Sequence, residues 1–302
     1  MNSGATQILT GAGIILVGGC ASLTSLLNSN ALAPTVASVS PDNAAPGAQV
    51  RIKGANLGES TGNQVQVFFS GALPIPATRP DDQTLLVTVP PDATTGRLLV
   101  LVSGATSNQI PFRVIKSLSL NQGDSDLLVG RSLQYVVSAT DTANQSFFNP
   151  AVAWAMTSGN SIRMDSGTAT GVTPGDSTIR VSSGNLSLSR QLHVFSISSV
   201  SLNKSSLTLN AMPDTGNPDP GYVTSDSLTA TVTASDRPNR AVTWSSSNTA
   251  LVTVDGNGAL QSARTHTPGT AVITATSADD PRVQATASVT VTIKAGLNLD
   301  IQ

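Results

Sequence analysis

After Pro34 the chain is built almost entirely of short runs of Val, Ile, Leu and Thr, interrupted by Ser, Gly, Asn, Asp or Pro. Val65-Gln66-Val67-Phe68, Leu85 to Val89, Leu98 to Val102, Leu133 to Val137, Thr178 to Val181, Leu228 to Thr233, Ala271 to Thr276 and Ala287 to Ile293 are of this kind. Many alternate apolar and polar residues, and turn residues recur at roughly 8–12-residue spacing, the pattern of β-sandwiches and barrels. No helical apolar period of useful length occurs after Pro34. Short strands with one apolar face and little charge must bury that face against a second sheet. The expected fold class is therefore all-β, with 302 residues divided among several sandwich domains.

Part of the chain repeats. Asn149-Pro150-Ala151-Val152-Ala153-Trp154 matches Asn239-Arg240-Ala241-Val242-Thr243-Trp244, 90 positions further on. Ser117-Leu118-Ser119-Leu120-Asn121 matches Ser199-Val200-Ser201-Leu202-Asn203, and Ser138 to Asp141 is similar to Thr233 to Asp236. Thr173-Pro174-Gly175 and Thr267-Pro268-Gly269 each precede a strand-like run. Matching blocks in one order indicate two copies of one unit, and their unequal offsets place insertions in surface loops, the largest at Ala211 to Ser225. Trp154 and Trp244 are the chain's two tryptophans, one per copy; a single large aromatic per sandwich belongs in the core between sheets. Val254-Asp255-Gly256-Asn257-Gly258 predicts a strand running into a tight turn, with Asp255 capping the turn and glycine at positive φ.

These residues resemble known families. The last unit resembles bacterial immunoglobulin-like group 2 domains of invasin- and intimin-type surface proteins, through Val200 to Asn203, Leu228 to Val232, Val242-Thr243-Trp244-Ser245-Ser246-Ser247-Asn248, Val252 to Gly258 and Gly269 to Thr276. The middle unit looks like a divergent copy that keeps Trp154, Asp165, Gly167 and Gly175. The first unit resembles IPT/TIG domains: Val36 to Pro41, then Pro46-Gly47, then Val50 to Gly58, with Val89-Pro90 and Gly96 to Val102 fitting later strands. The resemblances imply three tandem immunoglobulin-like β-sandwich domains after an N-terminal apolar segment. The expected division is a 1–20 signal or apolar segment, a 21–34 tether, an IPT/TIG-like domain over 35–115, a divergent copy over 116–197, a group 2 domain over 198–294 and a 295–302 tail.

The first charged side chain is Asp42. Ile8 to Leu27 is mostly apolar or small, and the only cysteine, Cys20, comes directly after Val17-Gly18-Gly19. An apolar run ending in small residues before a cysteine resembles a bacterial lipoprotein signal with its lipobox. That implies cleavage before Cys20, its lipidation, and anchoring of the downstream domains, since buried methylenes hold a soluble domain at a membrane. The run departs from the pattern in having no Lys or Arg ahead of it. A retained apolar segment and a small buried cysteine are the other readings.

Chemistry is sparse. One Cys forms no internal disulfide, and with two His it is too poor a set for structural zinc. No His-Glu-x-x-His or phosphate-cradling glycine loop occurs. His193 and His266 read as surface histidines. The acidic spots Asp81-Asp82, Asp124 to Asp126, Asp214 to Asp219 and Asp279-Asp280 read as solvated turns, with calcium at a domain junction as the alternative. The expectation is no catalytic residue, no metal and no cofactor. Net charge is −2 with no basic cluster, which excludes nucleic acid as a partner. The candidate contact loop comprises Phe147-Phe148 and, in the long insertion, Tyr222; on a period-two strand, one of the paired rings would face out instead.

The function expected is a non-enzymatic cell-envelope lipoprotein, a rod of Ig-like domains for adhesion, scaffolding or display. Its partners would be a membrane through the lipid anchor and a protein or glycan surface, with self-assembly as a further partner. The alternative is a structural subunit of a virion or surface filament that keeps its N-terminal segment, motivated by the missing basic residues and the Met1 start.

Overall fold

The computed structural model describes residues 8–9, 14–15, 33–58, 65–211, 223–235, 241–265 and 267–293. All regular structure among them is β-strand, arranged as tandem Ig-like sandwiches. Ile8–Leu9 pairs antiparallel with Ile14–Ile15, and the rest of the apolar run lies outside the described residues. No described helix is long and apolar enough to cross a membrane. Two compact units are present: Met1–Ser117 with Thr140–Ala151 and Ser183–Leu186, and Leu118–Ala139 with Val152–Ser182 and Ser187–Gln302.

In the first unit one sheet runs Thr35–Ser40, Gln49–Ala55, Thr84–Thr88, Thr78–Asp81. The other runs Ser146–Phe148, Val137–Asp141, Ile110–Leu120, Gly96–Val102, Val65–Phe69, Ile75–Pro76. Alternation decides which residues meet between them. Val50 and Ile52 point inward from one strand, and Leu98, Val100 and Val102 from another, while their neighbours face out. Phe69 and Phe112 meet edge to face, centroids 5.2 Å apart. Asn108 ties the edge of the sandwich by accepting from the Val36 N–H at 2.8 Å and donating to its carbonyl at 3.0 Å. The two later segments are held by main-chain bonds. The Thr142 N–H donates to the Val114 carbonyl at 2.9 Å, and the Asn185 N–H to the Pro46 carbonyl at 2.8 Å.

The second unit holds two sandwiches of one plan. Ser125–Leu128, Leu186–Phe195, Gly175–Ser183 and Ala153–Ser158 face Ser132–Gln134, Thr168–Gly171 and Ile162–Asp165. In the next sandwich Ser206–Asn210, Gln284–Thr292, Gly269–Ser277 and Val242–Ser246 face Ser225–Ser227, Ala259–Ser262 and Val252–Val254. The repeated sequence blocks make repeated contacts. Asn121 and Asn203 each donate the main-chain N–H to a facing carbonyl, Val136 or Thr229, at 3.1 Å, and accept that residue's N–H on the side chain. Tyr135 and Leu228 each donate their N–H to a turn glycine, Gly167 or Gly258.

Two expected strands are corrected. Leu133 to Val137 reads as a single strand but is interrupted at Tyr135 and Val136, and the strand expected from Leu228 begins only at Ala230. Ser132–Gln134 and Ser225–Ser227 pair within the three-stranded sheets, and the chain then crosses to pair elsewhere as Val137–Asp141 and Ala230–Ala234. Tyr135 and Leu228, both buried, sit at the crossing.

A further apolar cluster joins the sandwiches of this unit: Leu128 and Phe195 pack with Ile197, Val200, Val232 and Ala275. Ser196 alone separates the strands Leu186–Phe195 and Ile197–Leu202. Its N–H donates to the Ser235 hydroxyl and its carbonyl accepts the Ser235 N–H, each at 3.0 Å.

Candidate contact surface

The two phenylalanines singled out in the sequence lie at the edge of the first unit, on the strand Ser146–Phe148. The expected loop is thus corrected to a strand. Pairing with Val137–Asp141 makes it one, and Asp141 fixes the hairpin between them: its buried carboxylate accepts the N–H groups of Ala143 and Gln145, both at 2.9 Å. Asn144 occupies the positive-φ position of the turn, at 61°. Period two then separates the rings. Phe147 is half-buried under the Arg113 guanidinium, 4.9 Å from its centroid, a cation–π contact. Phe148 is 75% exposed. Lys116 donates to the Asn144 side chain at 3.0 Å, so a second cation stands on the same hairpin. Phe148 is thus an exposed apolar ring on an edge strand. Arg113 and Lys116 were not singled out in the sequence. Both are exposed on the Ile110–Leu120 strand, where alternation breaks at the buried pair Val114-Ile115, and only the fold places Phe147 beneath Arg113.

The other residues picked from sequence fall elsewhere. Tyr222, Cys20 and His266 lie outside the described residues. Trp154 and Trp244 are half-buried, packed against the cores of their sandwiches. Trp154 lies 6.1 Å from the buried Tyr135 ring, and burial pushes the Tyr135 hydroxyl pKa up. Each indole also lies under the turn glycine of its copy. A Cβ on Gly167 would stand 3.4 Å from Trp154, and one on Gly258 would stand 2.8 Å from Trp244. His193 is a correction: it is 7% exposed, not a surface residue. Its Nδ1 lies 2.7 Å from an Asp176 carboxylate oxygen.

Of the acidic spots, Asp214 to Asp219 lies outside the described residues. Asp81 accepts the Gln83 N–H, Asp82 pairs with Arg79, and Asp124 accepts the Gln191 N–H. Asp280 is gripped by two nitrogens of Arg282 at 2.8 Å, which holds its carboxyl below the usual carboxylate range. Among the described residues no group of three or more His, Cys, Asp or Glu is placed to hold a metal ion. A shallow polar groove on the last sandwich is lined by Asp226, Thr253, Asp255 and Gln261. Lys204 closes one side, 2.7 Å from both Asp226 oxygens, and with the Ser227 N–H it lowers the Asp226 pKa.

A depressed carboxylate stabilises the fold above its unfolded pKa, and that contribution is lost as pH falls through the folded value. Removing Lys204 takes away the largest cause of the depression and leaves the Ser227 N–H. The Tm difference between wild type and Lys204→Ala is therefore expected at neutral pH and should shrink as the pH falls below the ordinary aspartate range. Thermal melts across that range check it; a gap that persists in acid contradicts the pairing.

Residues 34–114 match the IPT/TIG domain model, and residues 224–291 match the model of the bacterial Ig-like domain, group 2. The two matches fall on the first and the last sandwich. The middle sandwich lies outside both matches. No curated protein matches the chain in sequence. Among solved structures it is similar to invasin, a bacterial integrin-binding protein, at 16% identity and TM-score 0.34, over 85% of this chain and 60% of that one. The chain therefore spans less than two thirds of the invasin chain's length. Drosophila N-cadherin EC1-4 is similar at 10% identity and TM-score 0.30, over 87% and 76%. Domains 4 and 5 of the S-layer protein SbsC are similar at 18% identity and TM-score 0.25, over 43% and 89%. The contact hairpin lies between the two matched stretches, whereas the polar groove lies within the group 2 match.

Proposed function

We propose that the chain is a non-enzymatic cell-envelope lipoprotein, held to a membrane through Cys20 and presenting tandem Ig-like domains outside the cell for adhesion, scaffolding or display. The observation that carries this reading is a group 2 bacterial Ig-like domain and an IPT/TIG domain downstream of an apolar run ending at the only cysteine. Domains of these two families typically bind or space and do not catalyse. The middle sandwich is a second, divergent group 2 copy, supported by its matching Asn121, Trp154 and Gly167 contacts. Contact is made through the Phe148 tip with a protein surface.

Two measurements test the reading. Cells fed labelled palmitate should label the wild type and leave Cys20→Ala unlabelled; an unlabelled wild type removes the anchor. Intact mass adds the alternative, since an unmodified chain that keeps Met1 to Leu27 favours a subunit of an extracellular assembly. For the contact tip, Phe148→Ser should lower attachment of cells bearing the protein several-fold, while stability changes by less than about 0.5 kcal/mol because the ring is exposed. Unchanged attachment moves the contact elsewhere.

A further inference from the structure

The turn between Val252–Val254 and Ala259–Ser262 holds the chain's only Asn-Gly sequence, Asn257-Gly258. An asparagine amide is a labile group. Its carbon is open to attack by the main-chain nitrogen of the residue that follows. A glycine in that place leaves the nitrogen unshielded, because no Cβ stands beside it. Every other asparagine of the chain is followed by a residue with a side chain. Asn257 is exposed, so water reaches its amide.

The closed turn opposes the attack. The Gly258 N–H, which has to lose its proton, donates to the Asp255 carbonyl at 3.1 Å. The Asp255 carboxylate accepts the Asn257 N–H at 2.9 Å and the Ala259 N–H at 2.8 Å. The Asp255 N–H donates to the Ala259 carbonyl at 3.0 Å, which closes the hairpin, and the Gly258 carbonyl accepts the Leu228 N–H at 2.9 Å. The nitrogen that must swing toward the Asn257 amide is thus engaged, and the residues on either side of it are pinned. We infer that Asn257 is a site of spontaneous modification gated by this hairpin, inert while the turn is closed and converted to isoaspartate when it opens.

In the conversion the Gly258 nitrogen gives up its proton and bonds to Asn257 Cγ, and the Cγ–Nδ2 bond breaks to release ammonia. One water then opens the cyclic imide. Cleavage of the nitrogen's bond to Cγ gives aspartate. Cleavage of its bond to the main-chain carbon routes the chain through Cγ and gives isoaspartate. One water enters and one ammonia leaves, with no oxidant or reductant. Isoaspartate adds a carbon to a loop whose length sets the register of two strands, so the original turn does not re-form and the opening becomes one-way. The inference goes beyond the proposed attachment and does not depend on Cys20 being lipidated.

The experiment incubates the full chain at mildly alkaline pH, folded and in guanidinium chloride, and follows the tryptic peptide that ends at Arg264 by mass. In denaturant Asn257 should convert, and an isoaspartate-specific methyltransferase should label the product. The folded chain should convert at least about ten-fold more slowly, because only the opened fraction reacts. Asp255→Ala removes two of the restraining bonds and leaves the reacting atoms in place. It should recover much of that difference in a chain that still melts cooperatively. The mass gain separates the reaction from rearrangement at Asp255-Gly256, which loses and regains one water and leaves the mass unchanged. Equal rates in the folded and denatured chain, or an Asn257 that stays inert in denaturant, would overturn the inference. The wild-type comparison stands even if Asp255→Ala fails to fold.

Discussion

Gly258→Ala is expected to destabilise the group 2 domain by about 3 kcal/mol. Two costs add. Gly258 sits at φ +84°, a conformation that disfavours any Cβ. An added Cβ would also collide with the Leu228 carbonyl and approach Trp244 Cζ2 at 2.8 Å. The carbonyl cannot retreat freely, because it belongs to the residue whose own N–H donates to the Gly258 carbonyl at 2.9 Å. Asp255 pins the turn further by accepting the N–H groups of Asn257 and Ala259 at 2.9 and 2.8 Å. Gly256 serves as the control: nothing lies within 4 Å of an added Cβ, so Gly256→Ala should cost less than about 0.5 kcal/mol. In the other copy Gly167 has a similar φ, but its nearest neighbours would be 3.1 Å away, so strain alone predicts about 1.5 kcal/mol there. Denaturant titration followed by Trp244 fluorescence in a Trp154→Phe background reads the first cost. Near-equal values for Gly256→Ala and Gly258→Ala would contradict the packing of this turn.

The second large effect is expected at the joint within the second unit. Phe195 is 8% exposed and packs with Leu128, Ile197 and Val200. Phe195→Ala removes the largest member of that cluster and leaves a void, at a cost of about 3 kcal/mol. It should also change the shape of the transition. With the cluster intact, Trp154 and Trp244 belong to sandwiches that share buried surface, and their unfolding curves should coincide. Without it, the two single-tryptophan reporters should separate along the denaturant axis. Curves that still overlap would place the coupling outside this cluster, in the Ser196–Ser235 bonds.

The fold was legible wherever its cause was local. Alternation in Val65–Phe69 or Gly96–Val102 is both the sequence signal and the burial pattern, because side chains on a strand have nowhere else to point. The Asp255 cap and the Gly258 turn were legible for the same reason, since partner and donor lie within four residues. The crossings at Tyr135 and Leu228 were not legible. Apolar and polar residues succeed one another through Leu133 to Val137 much as in an unbroken strand, and the crossing is set by the distant glycines that receive the Tyr135 and Leu228 N–H groups. His193 was misread because its cover comes from another strand: a polar residue in an alternating run reads as outward-facing. The candidate surface was half legible. Phe147-Phe148 stood out as a pair in a chain with few aromatics, but which ring is free depends on Arg113, which only the sheet brings near.

The single residue between Phe195 and Ile197 also bears on how such a chain changes length over generations. Two positions apart on extended chain, both side chains face the same way, and both enter the joint cluster. One inserted residue would turn Ile197 to the opposite face and carry the next strand's pattern with it. An exchange of genetic material at this junction therefore has to keep phase to the residue, whereas one within the long Ala211 to Ser225 insertion does not. The length of this junction is therefore held by the packing of the last two sandwiches on one shared cluster.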